Sequence, residues 1–337
     1  MNDRYCRQIP LLGKKAQSNL ENNSILIIGA GGVGSPLSLY LAGSGIGTLG
    51  IIDFDNVDLT NLHRQILFSE EDIGKNKARQ GAQKLKTLNS EINIKPYAEK
   101  LTIKNAKQIF QEYELIIDGS DNFQTRYLAN DICCQLNLPL ISASIYKSQI
   151  QIATINPKVA CYRCIFPEPP PPNIIQTCSL SGIIGSTSGI AGSVAASIAI
   201  QIISNSTALD SKILRINCDN YSSEQLEFRK NPTCRSCKDK LVTWPAVNYR
   251  IRLDDIELND YMVIDIRELY EDRSEILVLN QLHSPFSELI NNLPQLPNKK
   301  ILIYCSQGVR SEYAAHLLRS RGFEAFSLGL SVDGKFN

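Results

Sequence analysis

Apolar residues along this chain fall first into short continuous runs, not alternations. Residues 24–28 (SILII) and 48–52 (TLGII) are too short for helices and rich in β-branched side chains, which predicts buried strands. Residues 115–117 and 140–142 repeat the pattern. Between these runs, 77–88 has the spacing of an amphipathic helix, 104–111 and 126–136 read as further helices, and 91–97 alternates through Ile92 and Ile94. Strands alternating with helices predict an α/β domain built on a doubly wound, mostly parallel sheet. Residues 149–155 read as an antiparallel strand outside that core, and residues 1–20 as a basic helical arm carrying Arg4, Arg7, Lys14 and Lys15. The longest apolar stretch, 182–204, is broken by Ser, Thr and Gln and lacks basic flanks. It predicts a buried helix whose small residues allow close packing, not a membrane span.

A second α/β pattern starts at Ile251: a strand over 261–266, a helix start over 285–290, a buried strand over 300–304 and a helix over 312–319. The stretch 241–250, with the single Trp of the chain, reads as a linker between domains at 1–240 and 251–337, and 337 residues are enough for two cores. The Pro169–Pro172 run predicts an extended crossing. A net charge of +1 excludes a general attraction to nucleic acid or to an anionic membrane. Ten cysteines are too sparse for a disulfide framework, and the two CxxC pairs among them favour metal binding in a reducing compartment. The N-terminus shows no apolar targeting segment, so the expected location is cytoplasmic. The heavy use of Ile, Asn, Lys and Ser suits an AT-rich bacterial or organelle genome, which makes the plastid stroma the alternative.

Candidate chemistry sits where the strands end. Gly29, Gly31, Gly32 and Gly34 follow the first strand directly, with Ser35 as candidate helix cap and Pro36 in the first helical turn. Glycines let the backbone approach an anion, and the helix start adds free N–H groups and a positive dipole end. Asp53 ends the next strand, where a carboxylate can accept from ribose hydroxyls. The polar segment after it holds Asp55, Asp58, Asn61, Arg64, Lys75 and Lys77 and is placed to close over a triphosphate, while Asp121 arrives at the same sheet edge as a candidate Mg²⁺ ligand. The glycines and Asp53 fit NAD equally well; an oxidoreductase leaves the Arg64 and Lys77 cations unexplained. Cys161 with Cys164, and Cys234 with Cys237, can supply four thiolates to a closed Zn²⁺ site. Cys305 lies on a tight loop between strand and helix, ringed by backbone N–H groups that lower a thiol pKa and hold an anion bound to sulfur, and Arg310 follows on the same loop.

These residues occur in a series of motifs: RYCRQI, GAGGVGS, IIDFDNVDLTNLHRQ, IGKNKA, DGSDNFQTRY, CYRCIFPEPPPP and NPTCRSC, then VIDIRE and YCSQGVRS. In series they make residues 1–240 resemble the E1-like adenylyltransferases that activate ubiquitin-like sulfur carriers, fused here to a stretch similar to rhodanese domains. The resemblance implies a Rossmann-like fold with a smaller α/β rhodanese-like domain. It implies ATP phosphates held by the glycine loop around Gly32, by Thr60, Asn61, Leu62, His63 and Arg64, and by Lys77, with ribose on Asp53, and metal and nucleotide on Asp121 and Asn122. It further implies a homodimer in which Arg7 enters the partner's site, and zinc on Cys161, Cys164, Cys234 and Cys237. The substrate implied is a small β-grasp protein ending in Gly-Gly, of the molybdopterin type or alternatively the thiamine type, adenylylated on its terminal carboxylate and then converted to a thiocarboxylate. Sulfur would come from a persulfide on Cys305, loaded by a donor such as a cysteine desulfurase. Cys178 falls where some members have a cysteine that links covalently to the carrier, although TCSLSG around it and LGLSVDGKFN at the end depart from the family pattern. A non-catalytic scaffold with a decayed tail is the reading that these departures keep open. An ionised carboxylate needs no general base, in keeping with His63, His283 and His316 lying outside any catalytic pattern.

Overall fold

A computed structural model describes residues 3–167, 182–205, 211–240, 249–269, 271, 281–291, 299–305 and 308–328. Cys178, the Pro169–Pro172 run and Trp244 lie outside the described residues. The chain divides into two compact units, whose described residues run to 240 in the first and from 249 in the second.

In the first unit the strands are β1 (Ser24–Ile28), β2 (Thr48–Ile52), β3 (Asn93–Tyr97), β4 (Leu115–Asp118), β5 (Leu140–Tyr146), β6 (Gln149–Ile155), β7 (Lys212–Asn217) and β8 (Ser222–Glu227). The helices are α1 (Ile9–Leu12), α2 (Lys14–Asn22), α3 (Gly34–Ser44), α4 (Lys77–Leu88), α5 (Ala106–Phe110), α6 (Phe123–Leu136), α7 (Tyr162–Ile165) and α8 (Gly185–Asn205). The sheet order is β3-β2-β1-β4-β5-β6-β7-β8, parallel through β5 and antiparallel from β6 onward. The continuous apolar run of β1 has a simple cause. Ile25 and Ile27 enter the core shared with α3 and α8, while Leu26 and Ile28 enter the opposite core beside Phe110 and Tyr127. The chain leaves β1 toward β2 and β3 on one side and returns to β4 and β5 on the other, so a crevice opens at the carboxyl ends of β1 and β4.

Several local expectations change. Ser35 is not the cap of α3: Val33 holds that position, and the Ser35 hydroxyl donates to the Ala30 carbonyl at 3.2 Å, bracing the loop from within the helix. Helix α6 starts at Phe123, because the Asn122 side chain accepts from the Thr125 N–H at 2.8 Å and caps it. Strands β7 and β8 had no clear signal in the sequence, since every residue of β8 is exposed and lacks an apolar face. Helix α8 is long and apolar enough to cross a membrane by length and composition; here Ala191, Ala195, Ala196 and Ala199 bury it in the core.

The second unit has β9 (Arg250–Ile251), β10 (Tyr261–Asp265), β11 (Leu282–His283), β12 (Lys300–Tyr304) and β13 (Ala325–Leu328), with α9 (Phe286–Asn291) and α10 (Val309–Ser320). Its all-parallel order is β11-β10-β12-β13-β9. Arg250, expected in the linker, instead pairs into this sheet beside Ser327. Ile264, Ile301 and Ile303 meet Phe286, Ala314 and Leu318 in the core, and the reversal of strand order at β10 and β12 puts Asp265 and Cys305 at adjacent strand ends.

Candidate functional site

The glycine loop leaves β1 against the loop that leaves β4. A Cβ on Gly29, whose φ is +89°, would stand 3.4 Å from the Gly119 carbonyl oxygen, and one on Gly34 would run into the Gly29 carbonyl. Only glycine permits this turn. The Ala30 N–H donates to Asp53 Oδ2 at 2.8 Å and the Asp55 N–H to Oδ1 at 2.9 Å, so Asp53 braces the loop as well as facing the crevice. Burial pushes the Asp53 carboxyl up, with the Lys77 charge and these two N–H donors opposing.

Lys77 arrives through the start of α4. Asn76 caps that helix by accepting from the Arg79 N–H at 3.1 Å, and its amide donates to the Asp53 and Asp55 carbonyls, each at 3.2 Å. The Lys77 ammonium, on a buried side chain, lies 3.4 Å from Asp55 Oδ2. The Thr60–Arg64 turn is shaped by Asp58, which accepts from the Thr60 N–H at 2.8 Å and its hydroxyl at 2.6 Å; these bonds hold the Asp58 carboxyl below its ordinary range. Asn61 accepts from the Asp58 N–H at 3.2 Å, and Leu62 packs against the core. Arg64 donates to the Thr60 carbonyl at 2.9 Å and lies 2.7 Å from His63 Nε2, with no carboxylate partner among the described residues.

At β4 the organising residue is Asp118, the last residue of the strand. Buried Asp118 accepts from the Ser120 N–H (3.0 Å) and hydroxyl (2.5 Å), from the Ser142 hydroxyl (3.0 Å) and from Arg126 Nε (3.3 Å). That network sets the loop carrying Asp121, which is exposed, and Asn122, whose side chain caps α6. The DGSDN string held the signal for Asp118; nothing local marked Arg126 or Ser142 as its partners. Arg7 is exposed.

The four CxxC sulfurs converge within 4.8 Å of one another, with Cys161–Cys164 at 3.8 Å and both Cys161–Cys234 and Cys164–Cys237 at 3.5 Å. A tetrahedron of bonds of about 2.3 Å places sulfurs about 3.8 Å apart, so the cluster fits Zn²⁺. The neighbouring Cys134 thiol and burial raise the pKa of Cys161 against the opposing Cys164 contact, the Cys161 thiol and burial raise that of Cys164, and burial beside Cys164 pushes Cys237 up to about 12. A divalent cation reverses that logic and holds the thiolates. Helix α6 clamps both turns. Arg163 donates to the two Asp131 oxygens at 2.8 and 3.0 Å, and Ser236 donates to Asp131 Oδ1 at 2.7 Å. Asn130 accepts from the Tyr162 N–H at 2.8 Å.

In the second unit Cys305 follows β12, buried, with Sγ 3.6 Å from the Ser311 hydroxyl; Gly308, at φ +75°, turns the chain into α10. The Arg310 guanidinium is held by Glu271 through two hydrogen bonds of 2.6 Å. Asp265 and Arg267 form a second pair at 2.9 Å, which outweighs burial and keeps the Asp265 carboxyl below its ordinary range.

A model of the ThiF family matches residues 5–237, and one of the rhodanese-like domain matches residues 252–331. The chain is similar to the "adenylyltransferase and sulfurtransferase MOCS3" of Culex quinquefasciatus, 40% identical over 251 residues that cover 73% of this chain and 57% of that protein. It therefore spans little more than half the length of that relative. It is 36% identical to the "sulfur carrier protein adenylyltransferase" of Thermus thermophilus, across 73% of this chain and 94% of that one. Among solved structures, E. coli MccB with ATP has a TM-score of 0.61 at 27% identity, covering 70% of this chain and 74% of that one. With its glycine cradle, its strand-end carboxylates and a family match over most of its length, the chain belongs to the ThiF family, followed by a rhodanese-like domain.

Proposed function

We propose that this chain adenylylates the C-terminal Gly-Gly carboxylate of a small β-grasp sulfur carrier, of the molybdopterin-synthase type, and then transfers sulfur to it from Cys305. The observation that carries the reading is the pair of cations beside the glycine loop: Lys77 on the capped start of α4 and Arg64 with no carboxylate partner among the described residues. A hydride-transfer site needs neither, whereas a departing pyrophosphate needs its charge met.

A carboxylate is a poor electrophile because its leaving group is oxide. In the first step a carboxylate oxygen attacks the α-phosphorus of ATP, the bond to the β-phosphate oxygen breaks, and pyrophosphate leaves with that electron pair. Loop N–H groups orient the phosphates, Asp53 accepts from the ribose, and Lys77 and Arg64 offset the growing charge. Asp121, an exposed carboxylate at the crevice, would hold the Mg²⁺ accompanying the nucleotide, which supplies further charge neutralisation. In the second step the terminal sulfur of a Cys305 persulfide attacks the acyl carbon and AMP leaves; reductive release of the acyl disulfide by a thiol then frees the thiocarboxylate.

Zinc at the four-cysteine cluster would tie the 161–164 and 234–237 turns together. A homodimer that brings Arg7 to the partner's site, and a cysteine desulfurase as the sulfur donor for Cys305, complete the proposal. The test is ATP–pyrophosphate exchange with candidate carriers, followed by the mass of each carrier's C-terminus. Exchange dependent on a Gly-Gly carrier, and an oxygen replaced by sulfur when persulfide is supplied, are expected. NAD binding without exchange would overturn the reading.

A further inference from the structure

Helix α8 begins against the nucleotide loop. A Cβ on Gly185 would collide with the His63 carbonyl, and one on Gly192 with the Val33 carbonyl, so the helix is pressed onto both segments that form the cradle. Its first turns bring Ser188 to Gly32: a Cβ there would stand 2.9 Å from Ser188 Oγ and 3.5 Å from Arg64 Cδ. Gln65 reaches the neighbouring glycine, its Nε2 lying 3.8 Å from where a Cβ on Gly31 would be.

Both side chains are buried, at 0% and 3% exposure, and among the described residues Ser188 Oγ and Gln65 Oε1 have no hydrogen-bond partner. Other helical serines of this unit do not behave so. Ser38, Ser44 and Ser193 turn their hydroxyls onto carbonyls of their own helices at 2.9, 2.8 and 2.7 Å. Ser188 forgoes that bond and points its oxygen at the glycine loop instead. A buried polar atom left without a partner is costly, and its persistence beside a ligand cradle points to a partner that arrives with the ligand.

Resting on the adenylyltransferase reading, we propose that Ser188 and Gln65 are additional nucleotide-binding residues, whose hydroxyl and amide N–H donate to the ATP phosphate lying on Gly31 and Gly32. Arg64 meets the same glycine with its Cδ, and among the described residues its guanidinium contacts the Thr60 carbonyl and His63 Nε2. The helix start contributes its dipole to the same anion, so two helix N-termini, those of α3 and α8, serve one phosphate group.

The test is calorimetric titration of the full chain with ATP and Mg²⁺, paired with thermal unfolding of the ligand-free protein. Ser188→Ala is expected to weaken ATP binding about tenfold while leaving the unfolding midpoint equal or higher, because the hydroxyl has no partner to lose. Ser193→Ala, which removes a bonded hydroxyl from the same helix, is expected to leave ATP binding unchanged. Gln65→Met is expected to weaken ATP binding in the same direction as Ser188→Ala. Ser188→Ala with wild-type ATP affinity, or with a lower midpoint, overturns the proposal while the adenylyltransferase reading stands. A loss confined to the KM for the carrier overturns it equally. A wild-type chain that takes up no ATP overturns both.

Discussion

The two units carry the same local device, a parallel strand running through a tight loop into a helix: β1 into the 29–34 loop and α3, and β12 into the Cys305 loop and α10. They differ in what surrounds the loop. In the first, among the described residues, Arg64 has no carboxylate partner and Ser188 holds an unpartnered hydroxyl against Gly32. In the second, Arg310 is locked to Glu271 and Arg267 to Asp265. One loop keeps charge available for an incoming anion. The other has its Arg310 and Arg267 guanidinium groups paired with carboxylates and offers a buried sulfur beside the Ser311 hydroxyl. A shared backbone motif therefore says where an anion can sit, and the side chains packed around it say whether the protein is prepared to meet one.

The sharpest separation comes from Cys305→Ser, expected to abolish sulfur transfer from thiosulfate while ATP–pyrophosphate exchange continues at the wild-type rate. Parallel loss of both activities would break the contrast between the loops. Arg64→Ala should lower exchange by about 10²- to 10³-fold, the scale of removing one charge-stabilising donor, and leave thiosulfate sulfurtransfer intact. Glu271→Gln, which frees Arg310 from its bidentate partner, should cost roughly 1 to 2 kcal/mol of stability in the second unit's unfolding transition and not touch exchange. No change in that transition would show that the pair contributes nothing and that Arg310 is as available as Arg64.

The smallest effect is one of sign. Asp265 has a lowered carboxyl pKa, so the unfolded state binds more protons as the pH falls through the carboxylate range, and the second unit should lose stability there. Asp53 has a raised pKa, so the folded first unit binds more protons in the window just above the ordinary carboxylate value of about 3.9; its contribution should rise as the pH falls. Chemical denaturation on both sides of the ordinary carboxylate value of about 3.9 resolves the two signs, the Asp53 slope above it and the Asp265 slope below it, with Asp265→Asn and Asp53→Asn removing the respective slopes.

The parallel core strands, the glycine loop and the helix carrying Lys77 were legible because each rests on interactions within a short stretch of chain. Buried strands must be apolar, and a loop closing on its own carbonyl at Gly29 and Gly34 must be glycine. Strand β8 escaped notice because a fully exposed edge leaves no apolar pattern, and Ser35 was misjudged because its hydroxyl bonds backward to Ala30. Asp118 lies in the DGSDN string, yet two of its partners, Ser142 and Arg126, are known only once β5 and α6 are packed beside it.

The sequence by itself determined two α/β units, a phosphate-binding turn with acidic residues at the next strand ends, and two cysteine pairs. These are short-range facts, written in residues that sit next to one another. Tertiary structure decided which distant groups meet: Cys161 beside Cys234 across 73 positions, Arg310 on Glu271 across 39, and Ser188 of α8 against Gly32 of the first loop. Those meetings depend on how the chain crosses the sheet, and whether a charged or polar group ends up paired is settled only by what the crossing brings within hydrogen-bond reach.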